Sequence, residues 1–398
     1  MHVRDRSSYR FVILGAGLSG LSLARAFARA GVRDRIAIVD AKPAFRDDRT
    51  WSFWDIDANG DAGLAAGRWH AWQLIDARGA YVQRSDKAPY VALRSTDFYA
   101  SARSEIEDAG YEISLGERVA DVTESEIGCV VTTVRRRISA DIVFDARGLS
   151  AAMVGASPVI QRFVGRRITS KRDVFEPGVA TLMDVQDDTG DGFHFYYVLP
   201  FTTREALVEN TYFARAPIAT ARLEAELDAY VMRRYGRTIA ETDYREIGAI
   251  PMSTARIPHA RTRRVVPIGL RGGCARPGSG YTFHRVAMQT AALVQAFAPH
   301  DSPLTEISYA LAPPACDAWL IAAARHAPSL LPGAFAKLFA TTDGDRVARF
   351  MMDRAGALES FPVLAASALG AAQTLLARCN ASASVAPSSS APAPVVSR

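Results

Sequence analysis

Apolar residues fill every position from Phe11 to Leu14 and then give way to Gly15-Ala16-Gly17-Leu18-Ser19-Gly20. A short unbroken apolar run reads as a buried strand, and the glycines after it read as a tight turn. The Ala- and Leu-rich stretch 21–30, closed by Gly31, reads as a helix. Residues 35–40, Arg-Ile-Ala-Ile-Val-Asp, predict a second strand that ends on an acid, which completes a βαβ unit. Residues 41–95 are mixed, loop-rich and rich in tryptophan, 96–110 read as helix, and 111–145 read as short strands. Residues 193–201 and 207–213 predict a hairpin around the turn at 202–206, followed by a helix at 219–235. A glycine- and proline-rich passage at 265–280 leads into a helix at about 282–297, and 314–377 are mostly helical in pattern. No internal repeat is visible. From Asn380 to Arg398 the chain is mainly Ser, Ala, Pro and Val, a composition that predicts disorder.

This order predicts an α/β protein with a dinucleotide-binding domain of Rossmann type, discontinuous over 10–150 and 256–300. A β-rich domain at 151–255, a helical region at 301–379 and the tail at 380–398 complete the expected organisation. With 398 residues, 49% of them apolar and 22% charged, the chain exceeds one small core and is not disordered as a whole. A polytopic membrane protein is excluded, because no uncharged apolar run reaches the ~18–20 residues needed to cross a bilayer. The longest candidate, Phe361 to Ala377, lies between Glu359 and Arg378 and reads as a core helix or an interfacial one. The net charge of +5 comes from scattered arginines, densest at 135–137 and 261–264. No nucleic-acid module flanks these runs, which read as solvated surface or as attraction to anionic lipid headgroups. The four cysteines are far apart and show no metal-type spacing, as expected in a reducing cytosol.

Gly15, Ala16, Gly17 and Gly20 form a Gly-x-Gly-x-x-Gly turn between strand and helix, with Asp40 placed 20 residues beyond Gly20. Glycines allow backbone to approach a pyrophosphate, the helix N-terminus offers free N–H groups, and the acid can hold a ribose. The dinucleotide is NAD(P) or FAD. FAD is favoured by the position of this turn at the start of the chain and by a late glycine-rich passage. That passage runs from Gly269 to Gly273 and on through Pro277, Gly278, Gly280 and Tyr281 to a helix. Flavoproteins of the glutathione-reductase type bring such a passage back to the flavin. Asp145-Ala146-Arg147-Gly148 resembles their middle nucleotide-site segment.

In the hairpin, alternation puts Leu207, Glu209 and Thr211 on one face and Val208, Asn210 and Tyr212 on the other. A carboxyl among apolar and aromatic neighbours keeps its proton and can donate it to an unactivated alkene. The plainer reading makes Glu209 a solvent-facing residue or an arginine's partner.

With Arg49-Thr50-Trp51-Ser52-Phe53-Trp54 and Leu207-Val208-Glu209-Asn210-Thr211, these segments resemble the bacterial-type lycopene β-cyclases over about residues 10–300. The resemblance implies an isomerase of carotenoid biosynthesis that closes the ψ-ends of lycopene into β-ionone rings, giving γ-carotene and β-carotene without net redox change. It assigns Glu209 as the acid/base, reduced FAD as cofactor with NAD(P)H as its reductant, and a carotenoid as substrate. Trp51, Phe53, Trp54, Phe195 and Tyr197 become candidates for a substrate tunnel, with core packing as the alternative for each. Such an enzyme is expected in the cytoplasm, peripherally on the inner face of the membrane, with no metal and no nucleic acid. Two departures stand out: Asn210 replaces the family's usual Asp, with an effect expected on the acid, and Arg276 replaces a His, expected to loosen the loop beside the flavin. A flavin-dependent monooxygenase or desaturase on a lipid-like substrate is the competing enzyme class. A non-enzymatic relative that holds prenylated partners is the third.

Overall fold

A computed structural model describes residues 8–57, 60–186, 190–236, 239–255, 264–298 and 315–384. The strand Tyr9–Leu14 lies at the centre of the first sheet, parallel to Ile36–Val39 on one side and Arg137–Asp145 on the other. Glu112–Ser114 and Val265–Pro267 extend the parallel part outward, and Cys129–Thr133 and Val119–Glu124 add an antiparallel edge. Burial on both faces explains why the central strand is apolar at every position from 11 to 14. Phe11, Phe27, Phe144 and Phe297 pack together where the helices Leu18–Arg29 and Phe283–Phe297 cover one face.

The second sheet has seven strands in the order Ile239–Met252, Val159–Ser170, Glu205–Ala214, Phe193–Pro200, Ala180–Val185, Ala71–Asp76 and Gly79–Arg84. Its last two strands come from within the expected nucleotide-binding stretch. Helix Thr220–Tyr235 covers one face through Leu223, Leu227 and Tyr230, which pack on Val164, Val208 and Tyr212. Thr50–Trp54, Tyr90–Arg94 and Gly67–Trp69 form a small third sheet.

Helices Ala315–His326, Leu331–Thr341, Gly344–Met351 and Ala357–Ser384 follow. The last is longer than the 17-residue run suggested and continues past the expected boundary at 379, so only 385–398 of the expected tail lie outside the described residues. Its segment Ala357–Ala377 has the length and apolarity to cross a membrane, Glu359 included, and 22% of its most apolar window is buried in the protein. The arginine runs are partly tied down. Arg136 pairs with Glu112 and Glu117, and Arg264 donates to the carbonyls of Asp141 and Glu126. Arg261, Thr262 and Arg263 lie outside the described residues.

Candidate active site

Three loops meet at the carboxyl ends of the parallel strands. At the first, Gly15 has φ +105°, and a Cβ there would lie 2.9 Å from the Ala146 carbonyl oxygen. A Cβ on Gly20 would fall 1.9 Å from the Gly15 carbonyl oxygen, so the helix seats against the turn only with glycine there. Gly17, by contrast, has no protein atom near its missing side chain. It caps Leu18–Arg29 without any side-chain hydrogen bond, which leaves the helix's first N–H groups open to a ligand. The Asp40 carboxylate accepts from the Ala16 N–H at 2.6 Å and from the Lys42 N–H at 2.7 Å, so it holds the turn as well as lying near it.

The middle loop is braced by Asp145, whose carboxylate holds the Arg147 guanidinium at 2.7 Å; this pairing raises the Arg147 pKa. Arg271 donates to the carbonyls of Arg147 and Gly148, at 3.3 and 3.1 Å. The late loop closes on the first helix. Gly269 has φ +63°, and a Cβ there would strike Ser19 Oγ at 2.2 Å. Gly273 also has positive φ and is open, whereas a Cβ on Gly280 would meet Gln161 Oε1. Thr282 caps the following helix without a side-chain bond to it, a second open helix N-terminus. The residues of the three glycine-bearing loops thus converge.

They converge on a cavity of about 420 Å³ that also holds Glu209. Strand pairing sets Tyr197, Glu209, Gly165 and Glu246 in one row across four adjacent strands. Glu209 accepts from the Thr211 hydroxyl at 2.8 Å. Burial, then the charge of Glu246, holds its carboxyl well above the usual carboxylate range. Burial raises Glu246 in the same direction. Buried like charges resist joint ionisation, so this pair keeps a proton at neutral pH. The local sequence does not single out Glu246 as a site residue. The alternation Tyr244, Glu246, Gly248, Ile250 is the signal that marks its face.

A second cavity, of about 320 Å³ and walled almost entirely by apolar side chains, adjoins the first and shares Tyr197, Ser279 and Tyr281 with it. Tyr90 and Tyr281 share a hydrogen bond at 3.0 Å, and Tyr281 also bonds Tyr197. Burial pushes all three phenols upward in pKa, so they stay neutral. Of the expected tunnel residues, Trp51 lines the first cavity, Trp54 the second and Tyr197 both. Phe53 and Phe195 line neither: Phe53 stacks on Phe283 at 4.2 Å, and Phe195 packs between Phe193 and Phe213.

The two departures have structural roles of their own. Asn210 points to the opposite face of the sheet from Glu209, fully buried, and bonds His194 at 2.7 Å and the Leu223 carbonyl at 2.9 Å. Arg276 does not loosen its loop. Its buried guanidinium meets Asp317 at 3.2 Å and donates to the Phe350 carbonyl, and Asp317 also accepts from the Gly278 N–H at 3.0 Å. The loop is thereby clamped to the C-terminal helices.

Residues 11–356 match the family model described as lycopene cyclase protein. A lycopene beta-cyclase of Paracoccus sp. is 30% identical over 285 residues, covering 68% of this chain and 69% of that protein. Among solved structures, a geranylgeranyl bacteriochlorophyll reductase-like protein from Thermoplasma acidophilum superposes with a TM-score of 0.63 at 14% identity, over 94% of this chain and 99% of that one. The aklavinone-11 hydroxylase in its ternary complex with FAD and aklavinone gives a TM-score of 0.55 at 15% identity, over 74% of this chain and 63% of that one. The fold is that of FAD-dependent oxidoreductases.

Proposed function

The chain belongs to the lycopene cyclase family, and from that premise we propose that it is a lycopene β-cyclase acting on the linear ψ-ends of lycopene. The observation that carries this reading is Glu209: a carboxyl kept protonated by burial, in one cavity with the three nucleotide-site loops. The Glu209 O–H protonates C2 of the terminal C1=C2 bond and leaves a tertiary cation at C1. The C5=C6 electrons form the C1–C6 bond, and loss of the C6 proton restores a C5=C6 double bond. Mass and oxidation state are unchanged from lycopene to γ-carotene and β-carotene, so the reaction is an isomerisation.

The open turn around Gly15, Ala16, Gly17 and Gly20 fits the pyrophosphate of FAD, and Asp40 its ribose. Arg147, Gly148, Gly269, Gly273, Gly280 and Tyr281 border the place for the rest of the cofactor, with the open N-terminus of Phe283–Phe297 at its end. When bound and reduced, with NAD(P)H as the source of electrons, FAD supplies fixed negative charge beside the cationic intermediate. Trp51, Tyr90 and Tyr281 line the same cavity, and aromatic rings there would favour the same cation.

The apolar second cavity takes the polyene chain, with the tyrosine trio at the junction. Val363, Leu364, Ser367 and Ala368 of the last helix line this cavity, while Leu358, Phe361, Leu369, Leu375 and Leu376 of the same helix are exposed. A helix that walls the cavity and offers leucines outward suits an enzyme lying on a membrane and drawing its substrate from the lipid. In this reading the enzyme works in the cytoplasm, peripherally on the inner face of the membrane.

The test is anaerobic incubation with lycopene and chemically reduced FAD. The expected product has the mass of lycopene and absorption shifted to shorter wavelength, because the ring double bond twists out of the plane of the polyene. A product heavier by oxygen or lighter by hydrogen refutes cyclisation. E209Q is expected to retain FAD and to form no rings.

A further inference from the structure

The row that carries Glu209 ends on a second carboxylate. Gly165 is paired with Glu209 on one side and with Glu246 on the other. Neighbouring strands lie about 4.8 Å apart, so an ordinary residue between the two glutamates would separate them. Here the intervening residue has no side chain. A Cβ on it would lie 3.0 Å from both Cγ and Oε1 of Glu246, so the Glu246 side chain leans over Gly165, toward the Glu209 strand. Its Oε2 is fixed by the Thr50 N–H at 3.0 Å. Its Oε1 is buried without a hydrogen-bond partner. A buried, unpartnered carboxylate oxygen is costly and calls for a role. Both glutamates line one cavity.

The geometry points to Glu246 as the catalytic base of the cyclisation, receiving the proton from C6 while Glu209 supplies the proton added at C2. This inference rests on the cyclase reading above. In the first half of the reaction the Glu209 O–H bond breaks and a C–H bond forms at C2. In the second half the C6–H bond breaks, its electrons make the C5=C6 double bond, and the proton goes to Glu246 Oε1. The pair holds one proton before and after. The cycle closes when that proton passes across Gly165 from Glu246 to Glu209. A separate base also fixes which hydrogen is lost. Removal from C6 gives the β-ring, whereas removal from C4 would give a ring with its double bond elsewhere.

The experiment compares wild type, E209Q and E246Q, each with FAD bound and reduced without oxygen. The substrates are lycopene and lycopene deuterated at C6 of both ends. E246Q is expected to cyclise about a hundredfold or more slowly. Its residual rate should fall further on C6 deuteration, because proton removal has become limiting. A loss of packing alone would not create that isotope effect. Cyclisation by E246Q at the wild-type rate, or a slow rate indifferent to C6 deuteration, overturns the assignment. If E246Q loses its flavin, G165A serves instead: it retains both carboxylates and pushes Glu246 aside. Slower, deuterium-sensitive turnover by G165A supports the base role, and unchanged or deuterium-insensitive turnover refutes it. Wild type that forms no rings refutes the cyclase reading itself, which separates the two failures.

Discussion

For Glu209 the alternation in 207–213 gives the face it shares with Leu207 and Thr211 but leaves open whether that face meets solvent, and the structure puts Leu207 and Glu209 in the wall of the cavity. Glu246 is not legible in the same way. It follows Arg245, which pairs with Glu224 near the surface, so the local stretch reads as charged exterior. Only the pairing of Ile239–Met252 with Val159–Ser170, set by residues some 80 positions earlier, carries it inward. The raised carboxyl of Glu209 has consequences for activity and stability. Its ordinary value is 4.5, and it is pushed up to about 8 by burial and by Glu246. The proposed cyclisation needs the protonated form, so on that mechanism the rate is expected to fall as pH rises through about 8, and a pH–rate profile on reduced enzyme checks this. For stability the sign is that of an acid whose folded pKa is raised. The unfolded chain releases this proton above about pH 4.5 while the fold retains it, so the group costs stability increasingly as pH climbs toward 8. E209Q lacks that cost. Its melting temperature, measured with FAD bound, should gain on wild type steadily between about pH 5 and 8.

At the scale of elements, the strand–turn–helix start and the hairpin are plain in the pattern because each is a local feature. The partnership of Ala71–Asp76 with Ala180–Val185 is not, since alternation marks a strand without naming its neighbour. The glycine turn divides into positions that the fold requires and positions with open space beside them. A Cβ on Gly20 strikes backbone at 1.9 Å, whereas one on Gly17 meets nothing of the protein. G20A should therefore unfold or purify poorly. G17A should keep its secondary structure and lose the flavin, read from the visible absorbance per mole of protein. The late loop offers a second test. Arg276 and Asp317 are both nearly fully buried, 2% and 5% exposed at their side chains. R276M strands a buried carboxylate and is expected to cost about 3–5 kcal/mol in denaturant unfolding. Adding D317L should recover part of that loss, because removing both charges is cheaper than isolating one. The substitution of Arg for the family's His looked disruptive in sequence. Its partner lies 41 residues away on the helix Ala315–His326, so nothing in the local sequence reveals the pairing.

At the scale of the whole molecule, the last helix connects the apolar cavity to the outside. It is held to Leu331–Thr341 by a close crossing: a Cβ on Gly370 would lie 2.2 Å from the Gly333 carbonyl oxygen, and one on Gly333 would strike Thr374 Oγ1. That clasp uses one side of the helix and leaves another side apolar and uncovered, with Leu358 91%, Phe361 70% and Leu376 63% exposed. Near-zero mean hydropathy hides this arrangement, because the polar surface of two sheets averages away one apolar stripe. Leu364 and Trp319 line the cavity and are themselves exposed, and Leu364 belongs to the same helix as that stripe. Under the proposed function, a membrane-resident substrate would pass from lipid through this cavity to the tyrosine trio and Glu209. The triple variant L358E/F361E/L376E changes only outward-facing side chains and should leave the melting temperature within about 2 °C of wild type, since exposed substitutions cost little. Each buried leucine or phenylalanine contributes about 1.5–3 kcal/mol to burial in an apolar phase, so flotation with anionic phospholipid vesicles should fall at least about tenfold. Cyclisation of lycopene delivered in detergent micelles should persist in the variant, while cyclisation of lycopene embedded in vesicles should collapse. Equal loss in both assays would mean that the stripe serves the catalytic fold, and equal retention would mean that the substrate enters by another route.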